Sequence, residues 1–192
     1  MSTPHPQLRA DAARNRLRTL EATRALLADP RAVVTVEAIA RQAEVSAATV
    51  VRTFGGKEAL IDAAASDLLE PLVRRARELL GGLPPEEALR TFLGEMLVFQ
   101  AAHHTMNAQI EALNLPATQA QEAALEQALL DLVVRAREAG VIRADLDPAV
   151  ATILIGECTY AIARSRAHGP GLSADYLTVL MDGLRPQPPA DR

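Results

Sequence analysis

The sequence predicts an all-α protein of about nine helices. Three observations lead there. Apolar residues recur every three or four positions along most of the chain, no strand-like alternation holds against that period, and alanine, leucine, arginine and glutamate dominate. Aromatics are only 3% of the 192 residues. This length suits one large domain or two small ones with a proper core.

Residues 1–7 read as a disordered arm, with Pro4 and Pro6 and no apolar anchor. A first helix is expected from Leu8 to Ala28, with Ala13, Leu17, Leu20 and Leu27 inward. Pro30 stops it by disfavouring helix at Asp29. Thr35 opens the second helix as its N-cap, Glu37 adds first-turn negative charge, and Ile39, Ala40 and Ala43 face inward. Ser46 caps a third helix to about Thr53, which Phe54, Gly55 and Gly56 end. A fourth runs from Lys57 towards Leu80, with Ile61, Ala65, Leu68, Leu72, Ala76 and Leu79 inward. Pro71 inside it should kink or split it.

After a break at 81–87, helices are expected at about 85–104, 105–113 and 117–139. The last carries Leu125, Leu129, Leu132, Val133 and Ala136 on one stripe, with Gly140 just past its end. Asp147 and Pro148 start a helix over 148–165 that is apolar on nearly all sides, so both its faces must be covered. Residues 168–171 end that region, a final helix spans Ser173 to Gly183, and 185–192 form a loose tail.

Composition narrows the function. No apolar run reaches the ~18 residues of a membrane span, and the N-terminus lacks a signal peptide's apolar core. Cys158 is the single cysteine, which excludes an internal disulfide and fits a reducing, cytoplasmic setting. It reads as a small buried hydrophobe. Residues 1–60 carry nine Arg or Lys against six Asp or Glu, a net +3, whereas 61–192 carry −7. A basic head on an acidic body hints at a polyanion partner for the head. No GxSxG, Gly-rich phosphate loop, HExxH or paired-cysteine motif occurs, so an enzyme is not expected, nor a metal or cofactor.

Residues 35–54 have the layout of a helix-turn-helix: a short helix, a tight turn, then a second short helix. Ile39, Ala40 and Val45 should pack against Val50 and Phe54. The other face of the second helix carries small and hydroxyl side chains. Those let a backbone approach a major groove, where Ser and Thr bond to phosphates or bases and an Ala methyl meets a thymine methyl. From spacing alone, an αα-hairpin in a helical core fits as well.

The residue identities go further. "TVEAIARQAEVSAATVVRTFGGKEALIDA" resembles the TetR/AcrR family of bacterial repressors in Thr-Val-x-x-Ile-Ala at 35–40, Val-Ser at 45–46, Thr49, Phe54 and Lys-Glu-x-Leu at 57–60. The resemblance covers about 50 residues; the rest matches only in length and helical layout. It implies a DNA-binding domain over 8–56 and a larger ligand-binding and dimerisation domain over 57–184. It implies Thr35 and Lys57 at phosphates, Ser46, Ala47, Ala48 and Thr49 opening the recognition helix, and Arg52 and Thr53 at phosphates or base edges. Arg9, Arg14, Arg16 and Arg18 would track the DNA backbone or a minor groove, or simply be solvated.

Three positions depart from the pattern. Glu44 stands where the turn commonly has glycine, Val51 where an aromatic is frequent, and Thr53 where a histidine is frequent. If position 44 needs positive φ, a non-glycine residue there costs about 1–2 kcal/mol.

The same resemblance implies a homodimer, with Ile155, Thr159, Ile162, Tyr176, Leu177, Leu180 and Met181 at its interface. A two-fold pair suits an operator with half-sites about 34 Å apart. A small hydrophobic or amphipathic ligand is expected among the helices at 85–165, on Phe92, Met96, Phe99, His103, Met106, Asn107, Ile110 and Tyr160, which combine apolar area with a few polar handles. Glu111, Glu157 and Arg164 would add polarity. The expected function is a ligand-responsive repressor on a double-stranded DNA operator, its fourth helix shifting with a bend at Pro71. The alternative is a helical dimeric adaptor or small-molecule-binding protein without sequence-specific DNA binding.

Overall fold

The computed structural model describes residues 6–165 and 171–186. The described residues form eight helices: α1 (Pro6–Ala28), α2 (Val36–Gln42), α3 (Ala47–Phe54), α4 (Lys57–Gly82), α5 (Pro85–Ile110), α6 (Pro116–Glu138), α7 (Pro148–Arg164) and α8 (Leu172–Leu184). The all-α expectation stands, one helix short of the expected number because 85–104 and 105–113 are a single helix. Neither proline nor glycine lies at that join, and His103 keeps the turn closed by bonding its Nδ1 to the Phe99 carbonyl at 2.8 Å. Pro71 does not split α4. The expected arm and tail lie outside the described residues at 1–5 and 187–192, as do 168–170 of the expected break; Pro6 and Gln7 belong to α1.

Contacts divide the chain into two compact units, Met1–Leu68 with Thr105–Ala120, and Leu69–His104 with Gln121–Arg192. In the first, α1, α2, α3 and the start of α4 enclose Leu20, Ile39, Ala40, Ala43, Val50 and Leu60. Fully burying each larger aliphatic here contributes roughly 1.5–3 kcal/mol. A second cluster in this unit joins Leu27, Ile61 and Ala65 to Met106, Ile110 and Leu115. Asp62 ties the same pieces together, accepting bonds from the Ala117 and Thr118 N–H groups at 3.0 and 2.8 Å and from the Thr118 hydroxyl at 2.8 Å. Those are orphan donors of the first turn of α6, so Asp62 caps a helix far from it in sequence.

The inner face of α1 differs from the expected stripe. Thr19, Leu20, Ala22, Thr23 and Leu27 are buried, while Ala13 is exposed and Leu17 is 58% exposed. Ahead of Thr19 the stripe faces solvent, so the inward face begins only there.

The second unit has one core, which includes Leu72, Ala76, Leu89, Phe92, Leu129, Leu132, Val133 and Ile155. Asp147 caps α7 by accepting from Ala149 and Val150 N–H at 2.9 and 3.1 Å, with Pro148 in the first turn. Gly140, at φ 72°, ends α6 in the left-handed conformation. No helix among the described residues is long and apolar enough to cross a membrane.

Candidate functional site

The helix-turn-helix is built by local chemistry. Thr35 Oγ1 accepts from the Ala38 N–H at 3.1 Å and closes the start of α2. The chain then turns through Glu44, whose φ of 53° makes it the one non-glycine residue with positive φ among those described. The Val45 N–H returns to the Ala40 carbonyl at 2.9 Å. Ser46 caps α3, accepting from the Thr49 N–H at 3.1 Å and sharing a hydroxyl bond with Thr49 at 2.8 Å. Gly55, at φ 91°, ends the helix. Val50 is 1% exposed and anchors α3 in the core, with Val45 and Phe54 packed against that cluster.

The opposite side of α3 is open. Ser46, Ala48, Val51, Arg52 and Thr53 are exposed, and Thr49 is half-buried. Ala47 is also half-buried and spends part of its surface on the core. Lys57 opens α4 in solvent. Thr49, Arg52 and Thr53 border a depression of about 500 Å³ whose other wall is α1, at Ala12, Asn15 and Arg16. Thr53 donates its hydroxyl to the Thr49 carbonyl at 2.8 Å, which orients its methyl.

Three of the α1 arginines are held in three different ways. Arg14 lies 3.5 Å from Asp11, Arg18 lies 2.5 Å from Glu44, and Arg16 stacks its guanidinium 4.9 Å from the Phe54 ring centroid. Sequence reading missed the last two pairings, since both partners are distant along the chain.

A cavity of about 340 Å³ opens in the second unit between α5, α6 and α7. Its apolar surface comes from Met96, Leu125, Leu129 and Ile153, and its polar groups from Gln100, Glu122, Glu126, Glu157 and Tyr160. Of the eight expected ligand residues, Met96 and Tyr160 meet here. Phe92 is fully buried in the core of this unit, and Phe99 and His103 stack with ring centroids 4.5 Å apart. Met106 and Ile110 belong to the first unit, in the cluster with Leu27 and Ile61, and Asn107 is half-buried on the same stretch. The α6 wall escaped sequence reading because Leu125 and Leu129 read as plain core. Glu122 and Glu126, spaced to share a face with them, were the available signal.

Residues 20–64 match the family described as bacterial regulatory proteins of the tetR family, and 84–186 match the C-terminal domain of SbtR-like transcriptional regulators. A TetR transcription regulatory protein from Mycobacterium vanbaalenii is 37% identical over 93% of this chain and 99% of its own, with a TM-score of 0.67. The chain belongs to the TetR family. A TetR transcriptional regulator from Streptomyces coelicolor is 27% identical over 90% of this chain and 99% of its own, with a TM-score of 0.65. A transcriptional regulator FadR from Bacillus subtilis, solved in complex with stearoyl-CoA, shares the fold at 18% identity and a TM-score of 0.72, over 88% of this chain and 96% of its own. The search of curated proteins gave no match.

As a TetR-family member the protein is a ligand-responsive, DNA-binding transcriptional regulator. The residues expected at a dimer interface divide within this frame. Ile155, Thr159 and Met181 turn into the core of their own unit, and Leu177 and Leu180 pack against it. Tyr176 is held by the same packing, its hydroxyl 3.0 Å from Thr159 Oγ1. Burial raises its phenol pKa, partly offset by that Thr159 bond. Ile162 is half-buried. The large apolar side chains that α7 and α8 leave bare are Val150, Ile153, Leu154 and Val179, of which Ile153 borders the cavity, and Cys158 is exposed rather than buried as expected. A helix apolar all round cannot reveal by periodicity which face its own chain covers.

Proposed function

We propose that this TetR-family protein is a repressor that binds its operator as a two-fold dimer and is released by a small amphipathic molecule. The single observation that carries the reading is the open face of α3. Ser46 and Val50 fix the helix, while Ala48, Val51 and Arg52 project from it uncovered. Small side chains allow close approach to a groove, and Arg52 supplies a bidentate donor for guanine or phosphate. Ala47 and Thr49 sit at the edge of the reading face, Thr53 and Lys57 serve phosphates, and the Thr35 hydroxyl hydrogen can still be donated to one. In this reading 8–56 is the DNA-binding domain and 57–184 the sensory and dimerising one, working in the cytoplasm.

Val150, Leu154 and Val179 are proposed as the apolar heart of the dimer, in place of the inward-facing Ile155, Thr159 and Met181. The cavity bounded by Met96, Leu129 and Tyr160 is proposed as the ligand site. Ligand shifts operator affinity by its differential affinity for the two conformations of the body. Pro71 is the proposed bend in α4.

The test titrates duplex from the gene's own upstream region at two salt concentrations. A sequence-specific complex with a steep salt slope is expected. A stable dimer with no complex at low salt would leave the adaptor in its place.

A further inference from the structure

The chemistry of the cavity wall names a ligand class. Three carboxylates, those of Glu122, Glu126 and Glu157, border the cavity, and among the described residues none has an ion-pair partner. All three are exposed, Glu122 and Glu126 on α6 and Glu157 on α7. Gln100 borders the same cavity, and its amide oxygen is buried without a hydrogen-bond donor. An orphaned buried acceptor costs free energy until an N–H or O–H arrives. Beneath these groups lie Met96, Leu125 and Leu129, which are apolar.

We propose that this cavity takes an amphipathic organic cation, with an N–H-bearing ammonium or amidinium head between Glu122 and Glu157 and an apolar body on Met96, Leu125 and Leu129. This inference rests on the reading of the cavity as the ligand site. The head donates to Gln100, and the carboxylates neutralise it in an environment partly shielded from water. Glu122 is exposed overall, yet the protein against one side of it raises its carboxyl pKa by desolvation with no cation to offset the rise. One face of the Tyr160 ring already carries the Arg164 guanidinium, 4.7 Å from its centroid, so the incoming cation uses the carboxylates rather than that face. Gly156 lies in the wall with nothing within 4 Å of where its Cβ would stand, so room for the body extends to the α7 backbone.

The experiment measures calorimetric binding of octylammonium, 1-octanol and octanoate to the full-length protein. These probes share one apolar body and differ in head charge. Octylammonium is expected to bind about tenfold tighter than octanol, and octanoate more weakly than either. Glu122→Gln with Glu157→Gln should bring octylammonium down to the octanol level while leaving octanol unchanged. Gly156→Leu, which fills the cavity, should abolish binding of all three with the thermal melt intact; should it unfold the protein, the carboxamide pair decides alone. The proposal is overturned if octanoate or octanol matches octylammonium, if the preference survives the double variant, if a folded Gly156→Leu binds as before, or if no probe binds. Operator binding read in parallel separates the two readings. Release by octanoate alone removes the cation and keeps the regulator; tight octylammonium binding that leaves DNA affinity untouched keeps the cation and removes the cavity's regulatory role.

Discussion

Arg18 reaches from α1 to hold the Glu44 carboxylate at 2.5 Å, directly over the turn of the helix-turn-helix. Two awkward features meet there, an acidic side chain beside the proposed DNA surface and a non-glycine residue at φ 53°. The ion pair answers the first only. Both side chains are substantially exposed, so the pair itself adds little stability. Glu44→Gly removes backbone strain of about 1–2 kcal/mol but frees the unfolded chain by about 0.4–1 kcal/mol. A small rise in the chemical denaturation midpoint is therefore expected, together with tighter operator binding, because Arg18 is released and a carboxylate is gone. Glu44→Val should instead lower the midpoint, since a β-branched residue tolerates that φ poorly.

The reading face has a gap that can be filled. Val51 is 48% exposed on α3, at the position where the sequence resemblance led to the expectation of an aromatic. Val51→Tyr should strengthen operator binding several-fold by restoring a hydroxyl within phosphate range, read by fluorescence anisotropy. Arg52→Ala should weaken it by about tenfold or more and lower the salt slope by about one. Neither change should move the thermal midpoint much, because neither side chain is in the core.

Asp62 makes stability depend on acid. Burial alone would raise its pKa, but the bonds from Ala117, Thr118 and the Thr118 hydroxyl outweigh it and hold the carboxyl below its ordinary value. The unfolded chain, with an ordinary aspartate near 3.9, thus takes up this proton at higher pH than the folded one. The stabilisation is fully present above that range and is lost as pH falls through the folded pKa. Asp62→Ala should cost about 2–3 kcal/mol at neutral pH, the loss of a helix cap plus unsatisfied N–H groups. Its acid denaturation profile should also be flatter below about pH 4 than that of the parent.

Leu154 and Val179 are 54% and 71% exposed although each belongs to a helix with a buried face. Leu154→Glu with Val179→Glu should convert the proposed dimer to a monomer in sedimentation velocity without lowering the helical signal. Operator affinity should fall with it, since two linked heads gain from effective concentration. A variant that stays dimeric would move the interface elsewhere on the chain.

Much of this was legible in the sequence, for definite reasons. Thr35, Ser46 and Asp147 announced their helices because capping is local, and all three cap as read. The inner faces of α2 and α4 followed from spacing. The reading failed where the determinant was tertiary. Leu17 sits on the right stripe of α1, but it faces solvent. The junction inside α5 looked like a boundary because His103, His104 and Thr105 are indifferent helix formers, yet packing on both sides carries the helix through. Met106 and Ile110 had the composition of a pocket wall and turned out to close a core with Leu27 and Ile61, which no periodicity within 85–110 can foresee.

The seam between Ile61, Ala65 and the later stretch around Met106, Ile110 and Leu115 bears on how such a protein can be re-engineered. A graft of residues 1–68 onto a foreign body would leave a greasy edge of Leu27, Ile61 and Ala65 wet and helix-capping Asp62 without its client. Chimeras built that way should precipitate, whereas those that carry 105–120 along should remain in solution. Swapping specificities among these regulators is therefore a matter of three cuts in the gene, not one.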